Sequence, residues 1–323
     1  HTVNVCLFYC LIINICKNHT VSLFATLFLL SHPILTETVN AVCYREDILA
    51  SIFFLLAFIF FIKVRVPFSK KEISLQQTNT RFIFSYFLSC ASYCLALFSK
   101  EMAITLPILL VLFDLLYFRQ DSMKTLPTSP RLIRVARCVP FYAGYIVVAG
   151  FYLFIRFVVF KNTFKTINVS PTNVVVMTKV VASYIKFLFI PLNLNADYCV
   201  PYSRYLSLSF ILSSLFIASA VIIIIRFRRH NKPITFFNLW FFITLLPVLG
   251  IIPIGNIMAE RYLYIPIMGF CGVTGCISAN YLSQRKGLPI VVGTILLGMQ
   301  IGVIYRNGVW HNDTTLWSYT YKR

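Results

Sequence analysis

Apolar runs long enough to cross a bilayer recur along this chain from one end to the other. Hydrocarbon offers no partner to a backbone N–H or C=O, so each run must bond internally as a helix. A membrane barrel would alternate at period two, and these runs do not. Ten runs stand out: residues 1–16, 20–35, 46–62, 82–98, 102–118, 139–160, 206–225, 234–254, 262–281 and 288–305. The run 20–35 is short and carries His32-Pro33 near its end. The segment 174–192 is broken by Lys179 and Lys186, which suits an interfacial amphipathic helix rather than a span. The expected fold is an all-α polytopic membrane protein with ten spans and one interfacial helix. Composition agrees: 59% of residues are hydrophobic and 12% charged, against about 25% charged in a soluble domain.

Charge sets the orientation. Basic residues crowd the short connections after the first, third, fifth, seventh and ninth runs, as in Lys63, Arg65, Lys70, Lys71 and Arg81, or Arg226, Arg228, Arg229 and Lys232. By the positive-inside rule that side is cytoplasmic. The net charge of +19 then reflects topology and attraction to anionic lipid rather than nucleic acid. Seven of the ten acidic residues, Glu37, Glu46, Asp47, Glu101, Asp197, Glu260 and Asp313, fall on the opposite side.

Four mixed clusters mark that outer face. They are His32 with Glu37, Arg45, Glu46 and Asp47; Lys100 with Glu101; Asp197 with Tyr198 in LNLNADYCVPYS; and Glu260 with Arg261, Tyr262 and Tyr264 in GNIMAERYLYIP. Each has a plain reading as helix-end charges that cap dipoles or pair locally, Glu46 and Asp47 above all. Four such clusters on one membrane face point instead to a shared polar cavity, because ionisable groups at that depth are costly. Other chemistry is missing from the sequence. The ten cysteines form no CxxC, the five histidines no metal spacing, and there is no phosphate-cradling glycine loop. Cys43 and Cys199 both lie outside and could pair.

The segments SHPILTETVNAVCYREDILA, SKEMAITLPILLVLFDLL, PLNLNADYCVPYS, NIMAERYLYIP and RNGVWHNDTTLW occur in this order. Together they resemble the membrane part of the transmembrane-and-TPR O-mannosyltransferases, both the cadherin-directed members and their bacterial relatives. The resemblance covers essentially the whole chain. It implies a GT-C-like fold and transfer of a sugar, typically mannose, from a polyprenyl-phosphate donor to Ser or Thr hydroxyls on the lumenal or periplasmic face. It also implies TPR repeats downstream, an acceptor protein as partner, and a catalytic acid in an outer loop upstream of His1. On this reading the chain is a fragment. No cofactor is required beyond the lipid-linked sugar as co-substrate, no metal-ligating residues and no nucleic acid are expected, and a divalent metal stays open. The LNLNADY and SKEMAITLP forms are closer to bacterial members, which implies the plasma membrane; a eukaryotic member would sit in the endoplasmic reticulum.

Such a transfer needs a carboxylate near the acceptor hydroxyl and cations on the leaving phosphate. Glu37 and His32 are the expected catalytic-side residues. Arg45, Lys100 and Arg261 are expected at the donor phosphate. Glu101, Asp197, Tyr198, Glu260 and Tyr264 are expected to shape the sugar or acceptor pocket. Two other readings stay open. A transporter or lipid flippase would use helix breaks such as Pro247, Gly250 and Pro253. A non-catalytic anchor would only display TPR repeats.

Overall fold

The computed structural model describes residues 1–69, 78–118, 139–160, 171–199, 208–227, 231–249, 256–282 and 288–322. Several basic residues used for orientation, among them Lys70, Lys71, Arg228, Arg229, Arg285 and Lys286, lie outside the described residues. So do Pro253 and Gly250.

Among the described residues the regular structure is helical. The helices are α1 Thr2–Cys16, α2 His19–Ser31, α3 Thr36–Asn40, α4 Arg45–Ser69, α5 Thr78–Ser99, α6 Leu106–Tyr117, α7 Val139–Phe154, α8 Pro171–Phe189, α9 Leu208–Phe227, α10 Lys232–Leu245, α11 Pro266–Leu282, α12 Leu288–Val309 and α13 Asp313–Tyr321. Short 3-10 turns at Pro33–Leu35, Val42–Tyr44, Glu101–Thr105 and Glu260–Leu263 sit between them. Every one of the ten apolar runs carries a helix. Among the described residues four stretches, Val42–Val66, Thr80–Ser99, Phe141–Val159 and Pro289–Val309, are long and apolar enough to cross a membrane, and a fifth joins them if α2 and Pro33–Asn40 form one bent span, against the ten expected. The run at 102–118 opens as a 3-10 turn, so α6 is only 12 residues long.

The chain divides into two compact units, residues 1–48 with 164–323, and residues 49–163. In the first, α2 packs along α11, and α11 along α10. Glycines on α11 permit this. A Cβ on Gly275 would lie 2.8 Å from the Val21 carbonyl of α2, and one on Gly269 would lie 2.5 Å from the Phe237 carbonyl of α10. Small residues let two backbones approach in this way. The second unit packs α5 against α7. Its inner core holds an ion pair, Arg65 Nε to Asp114 Oδ2 at 2.8 Å, and the Tyr142 hydroxyl donates to the same carboxylate at 2.6 Å. The Phe118 and Phe141 rings flank the guanidinium at about 5 Å.

Candidate functional site

In SHPILTE, proline dictates the local geometry. The residue before proline avoids the helical region, and His32 is extended at φ −79°, ψ 119°. Thus α2 stops at Ser31, and the chain bends by 54° into Pro33–Asn40. The bend carries Glu37 into the interior, where 1% of it is exposed. His32 is equally buried. Its Nδ1 accepts from the Ile34 N–H at 3.3 Å, so Nε2 bears the proton and donates to the Leu188 carbonyl at 3.1 Å. The neutral ring therefore clasps the end of α8 to the bend.

Opposite Glu37 lies the turn Glu260–Leu263. Ala259 enters it extended, and its N–H and C=O both bond the Tyr184 hydroxyl of α8, each at 3.1 Å. The Trp240 indole of α10 donates to the Ile265 carbonyl just beyond, at 3.0 Å. So pinned, the turn aims two consecutive side chains at different partners. Arg261 Nη1 meets Glu37 Oε1 at 2.7 Å, while the Arg261 backbone N–H donates to Glu37 Oε2 at 2.9 Å. The Arg261 guanidinium stacks on the Tyr44 ring at 4.2 Å. Glu260 Oε2 meets Arg306 Nη2 of α12 at 2.8 Å, and the Tyr198 hydroxyl donates to Glu260 Oε1 at 2.7 Å. Arg306 spends its other nitrogens on the Leu194 carbonyl (2.8 Å) and the Thr36 hydroxyl (3.3 Å). Two buried carboxylates and two buried arginines thus converge from α3, α12 and one 3-10 turn.

Burial and pairing oppose each other here. Burial pushes the Glu260 carboxyl up to about 8, with Arg306 pulling the other way. Burial also raises the Tyr198 hydroxyl, reinforced by the Glu260 charge. For Arg261 burial alone would lower the value, but Glu37 outweighs it and the guanidinium is held above its ordinary range.

Of the residues expected from sequence, Glu37, Glu260, Arg261 and Tyr198 fall in this one network, while His32 stands at the bend before it, bonded to the Leu188 carbonyl and the Ile34 N–H. Tyr264, 2% exposed, accepts from Asn4 Nδ2 at 3.1 Å, and His1 Nδ1 lies 2.8 Å from its hydroxyl. Arg45 is exposed at the start of α4, and Asp197 is exposed beside Tyr198. Lys100 and Glu101 belong to the other unit, where Glu101 lies 3.5 Å from Arg156. Arg156 sits in a π-helical turn, Ile155–Val159, and reaches back to the Tyr152 hydroxyl. Cys43 and Cys199 are free thiols, both exposed, so the possible outer disulfide is not formed. The residues the sequence did not single out are Arg306 and Thr36. The available signal for Arg306 was an arginine on an otherwise apolar helix, one turn before Trp310. Among the described residues no three His, Cys, Asp or Glu side chains are grouped to hold a metal.

Beside the network is a cavity of about 1070 Å³, bounded by residues 193–199 and α13 and lined by Asn195, Asp197, Tyr198, Trp317 and Thr320 among others. Fold and site together define a helical, membrane-type chain whose buried charges are gathered at paired motif segments. The chain is similar to the protein O-mannosyl-transferase F38B6.6 of Caenorhabditis elegans, 26% identical over 327 residues. The match covers 98% of this chain and 44% of that protein, so the chain spans less than half the length of the relative. No protein-family model matches the chain, and no solved structure matches it.

Proposed function

We propose that this chain is the membrane portion of a glycosyltransferase that moves mannose from a polyprenyl-phosphate donor to Ser or Thr hydroxyls of proteins, on the lumenal or periplasmic face. The proposal includes the ten-span, GT-C-like arrangement and TPR repeats on the same face. The observation that carries it is the meeting of HPILTE and AERYLYIP, segments 224 residues apart in sequence, through the Glu37–Arg261 pair. The name of the C. elegans relative supports the same reading.

The chemistry required is a displacement at the sugar's anomeric carbon. The acceptor oxygen bonds that carbon, its proton passes to a carboxylate, and the C–O bond to phosphate breaks with both electrons leaving on phosphate. Arg261 and Arg45 are assigned to the departing charge, which preorganised cations stabilise best in a dry site. Glu37 holds Arg261 at one guanidinium nitrogen and at its backbone N–H, and so sets its position. A direct part for Glu37 or His32 in proton transfer would require one of their present bonds to open. Tyr198, Asp197, Glu260 and Tyr264 shape the sugar and acceptor side.

The test uses the full-length protein in proteoliposomes with radiolabelled mannosyl-phosphoryl-polyprenol. Label appearing on Ser or Thr of an acceptor polypeptide supports the transferase. Label crossing the bilayer without transfer supports a flippase, and neither outcome supports an anchor. For Arg261→Ala, turnover should fall about 100- to 1000-fold, the usual cost of losing one such donor.

A further inference from the structure

We propose that the ion pair between Glu101 and Arg156 is the headgroup site for one zwitterionic phospholipid, a phosphatidylethanolamine. The site lies wholly in the second unit and stands whether or not the chain transfers sugar. Arg156 sits in the π-helical turn Ile155–Val159 that ends α7, where the Phe160 N–H reaches the Ile155 carbonyl at 3.0 Å. Such turns are rare and recur at functional sites. Glu101 opens the 3-10 turn that follows α5. The two side chains are 32% and 44% exposed, with Arg156 Nη1 lying 3.5 Å from Glu101 Oε2. A tight pair of this kind closes to about 2.7–2.9 Å. The same Nη1 serves the Tyr152 hydroxyl, and among the described residues Nε and Nη2 of Arg156 have no partner. The pair is therefore slack, with donors to spare.

The order of the charges fits such a headgroup. Arg156 is three residues inside the candidate span Phe141–Val159, and Glu101 is two residues past the end of Thr80–Ser99. The deeper charge of the protein is thus the cation and the outer one the anion. In phosphatidylethanolamine the phosphate is joined to the acylated glycerol and the ammonium hangs beyond it on a short arm, so the lipid carries the reverse order. Each charge then meets its opposite at a depth where a lone charge is costly. A guanidinium fork suits phosphate, and a carboxylate accepts from a primary ammonium. An anionic headgroup, or the phosphate of a polyprenol-linked sugar, brings no cation for Glu101 and is repelled by it. A choline headgroup has no N–H to donate. Beside the pair the rings of Phe98, Phe151 and Phe154 are about half exposed. Phe98 meets Phe151 at 6.5 Å and Tyr152 at 5.6 Å, joining α5 to α7. Acyl chains thereby find an apolar wall next to the charges that hold the headgroup.

The test counts lipid. Full-length protein is moved from nanodiscs of equal phosphatidylethanolamine, phosphatidylcholine and phosphatidylglycerol into mild detergent, and retained lipid is read by native mass spectrometry. Wild type should retain phosphatidylethanolamine over each of the others by about fivefold, the scale of one charge contact at a membrane surface. Glu101→Gln should abolish the preference over phosphatidylglycerol while lipid is still held, because the phosphate keeps Arg156. Arg156→Gln should lower retention of both. The exchange Arg156→Glu with Glu101→Arg keeps an ion pair and reverses the order of charge. Its melting temperature should match wild type, and its preference for phosphatidylethanolamine should be gone. Should the exchange fail to fold, the two single variants carry the same distinction. A merely structural ion pair would leave lipid retention alike in wild type and variants, and that result overturns the proposal. Equal retention of the three lipids by wild type also overturns it, as does displacement of the bound lipid by a short-chain mannosyl-phosphoryl-polyprenol.

Discussion

Arg261 and Glu37 hold each other through two contacts, one of them to backbone, with 9% and 1% of their side chains exposed. Removing one partner of a buried pair strands the other, which costs about 3–5 kcal/mol, whereas replacing both by apolar groups is often near neutral. Thus Arg261→Ala should lower the melting temperature in nanodiscs sharply, while Glu37→Met with Arg261→Met together should recover most of the loss. Equal damage from the single and double changes would contradict the pairing. Glu260 gives a pH signature. In the unfolded chain it titrates near 4.5 and in the folded protein near 8, so the folded state binds the proton more tightly. Its contribution to stability is full below about pH 4.5, shrinks as pH rises, and is gone above about pH 8. Between roughly pH 6 and pH 8.5 the wild-type melting temperature should fall more steeply than that of Glu260→Gln; parallel curves would refute it.

Elements bring these residues together through close helix contact. On α11, Gly275 faces α2 with no room for a Cβ, whereas nothing lies within 4 Å of the corresponding position on Gly293 of α12. Gly275→Leu should therefore destabilise by about 1–3 kcal/mol or more through overpacking. Gly293→Ala should stay within about 0.5 kcal/mol. Differential scanning fluorimetry separates the two. The apolar runs made the helices legible in sequence, and His32-Pro33 made the end of α2 legible, because both signals are local. The Glu37–Arg261 and Glu260–Arg306 pairings were not legible as pairs. They depend on α3 and α12 meeting the turn at Glu260, and no local pattern specifies that meeting. Helix α13 was also missed. It is too polar to register as an apolar run, although NDTT at its start carries a readable cap. Asn312→Ala removes that cap and should cost about 1 kcal/mol, read as a lower melting temperature.

Across the whole molecule the governing feature is sidedness. The carboxylates of HPILTE, YREDI, LNADY and AERY are expected away from the cytosol, and the dense Lys and Arg connections toward it. Two exposed thiols report on this without engineering a new site near the network. Cys43 adjoins Tyr44, the ring under Arg261, and Cys199 adjoins Tyr198. Lys63 is exposed near the other end of α4, whose 25 residues span roughly 37 Å at 1.5 Å per residue. The decisive measurement is labelling of intact cells with a membrane-impermeant maleimide, using variants that keep only Cys43, only Cys199, or only a cysteine at Lys63→Cys. The account predicts that Cys43 and Cys199 are modified from outside, or from the lumen of sealed microsomes after selective access, and that position 63 is modified only from the cytosolic side. Modification of Cys43 and Cys199 from the cytosolic side would contradict it.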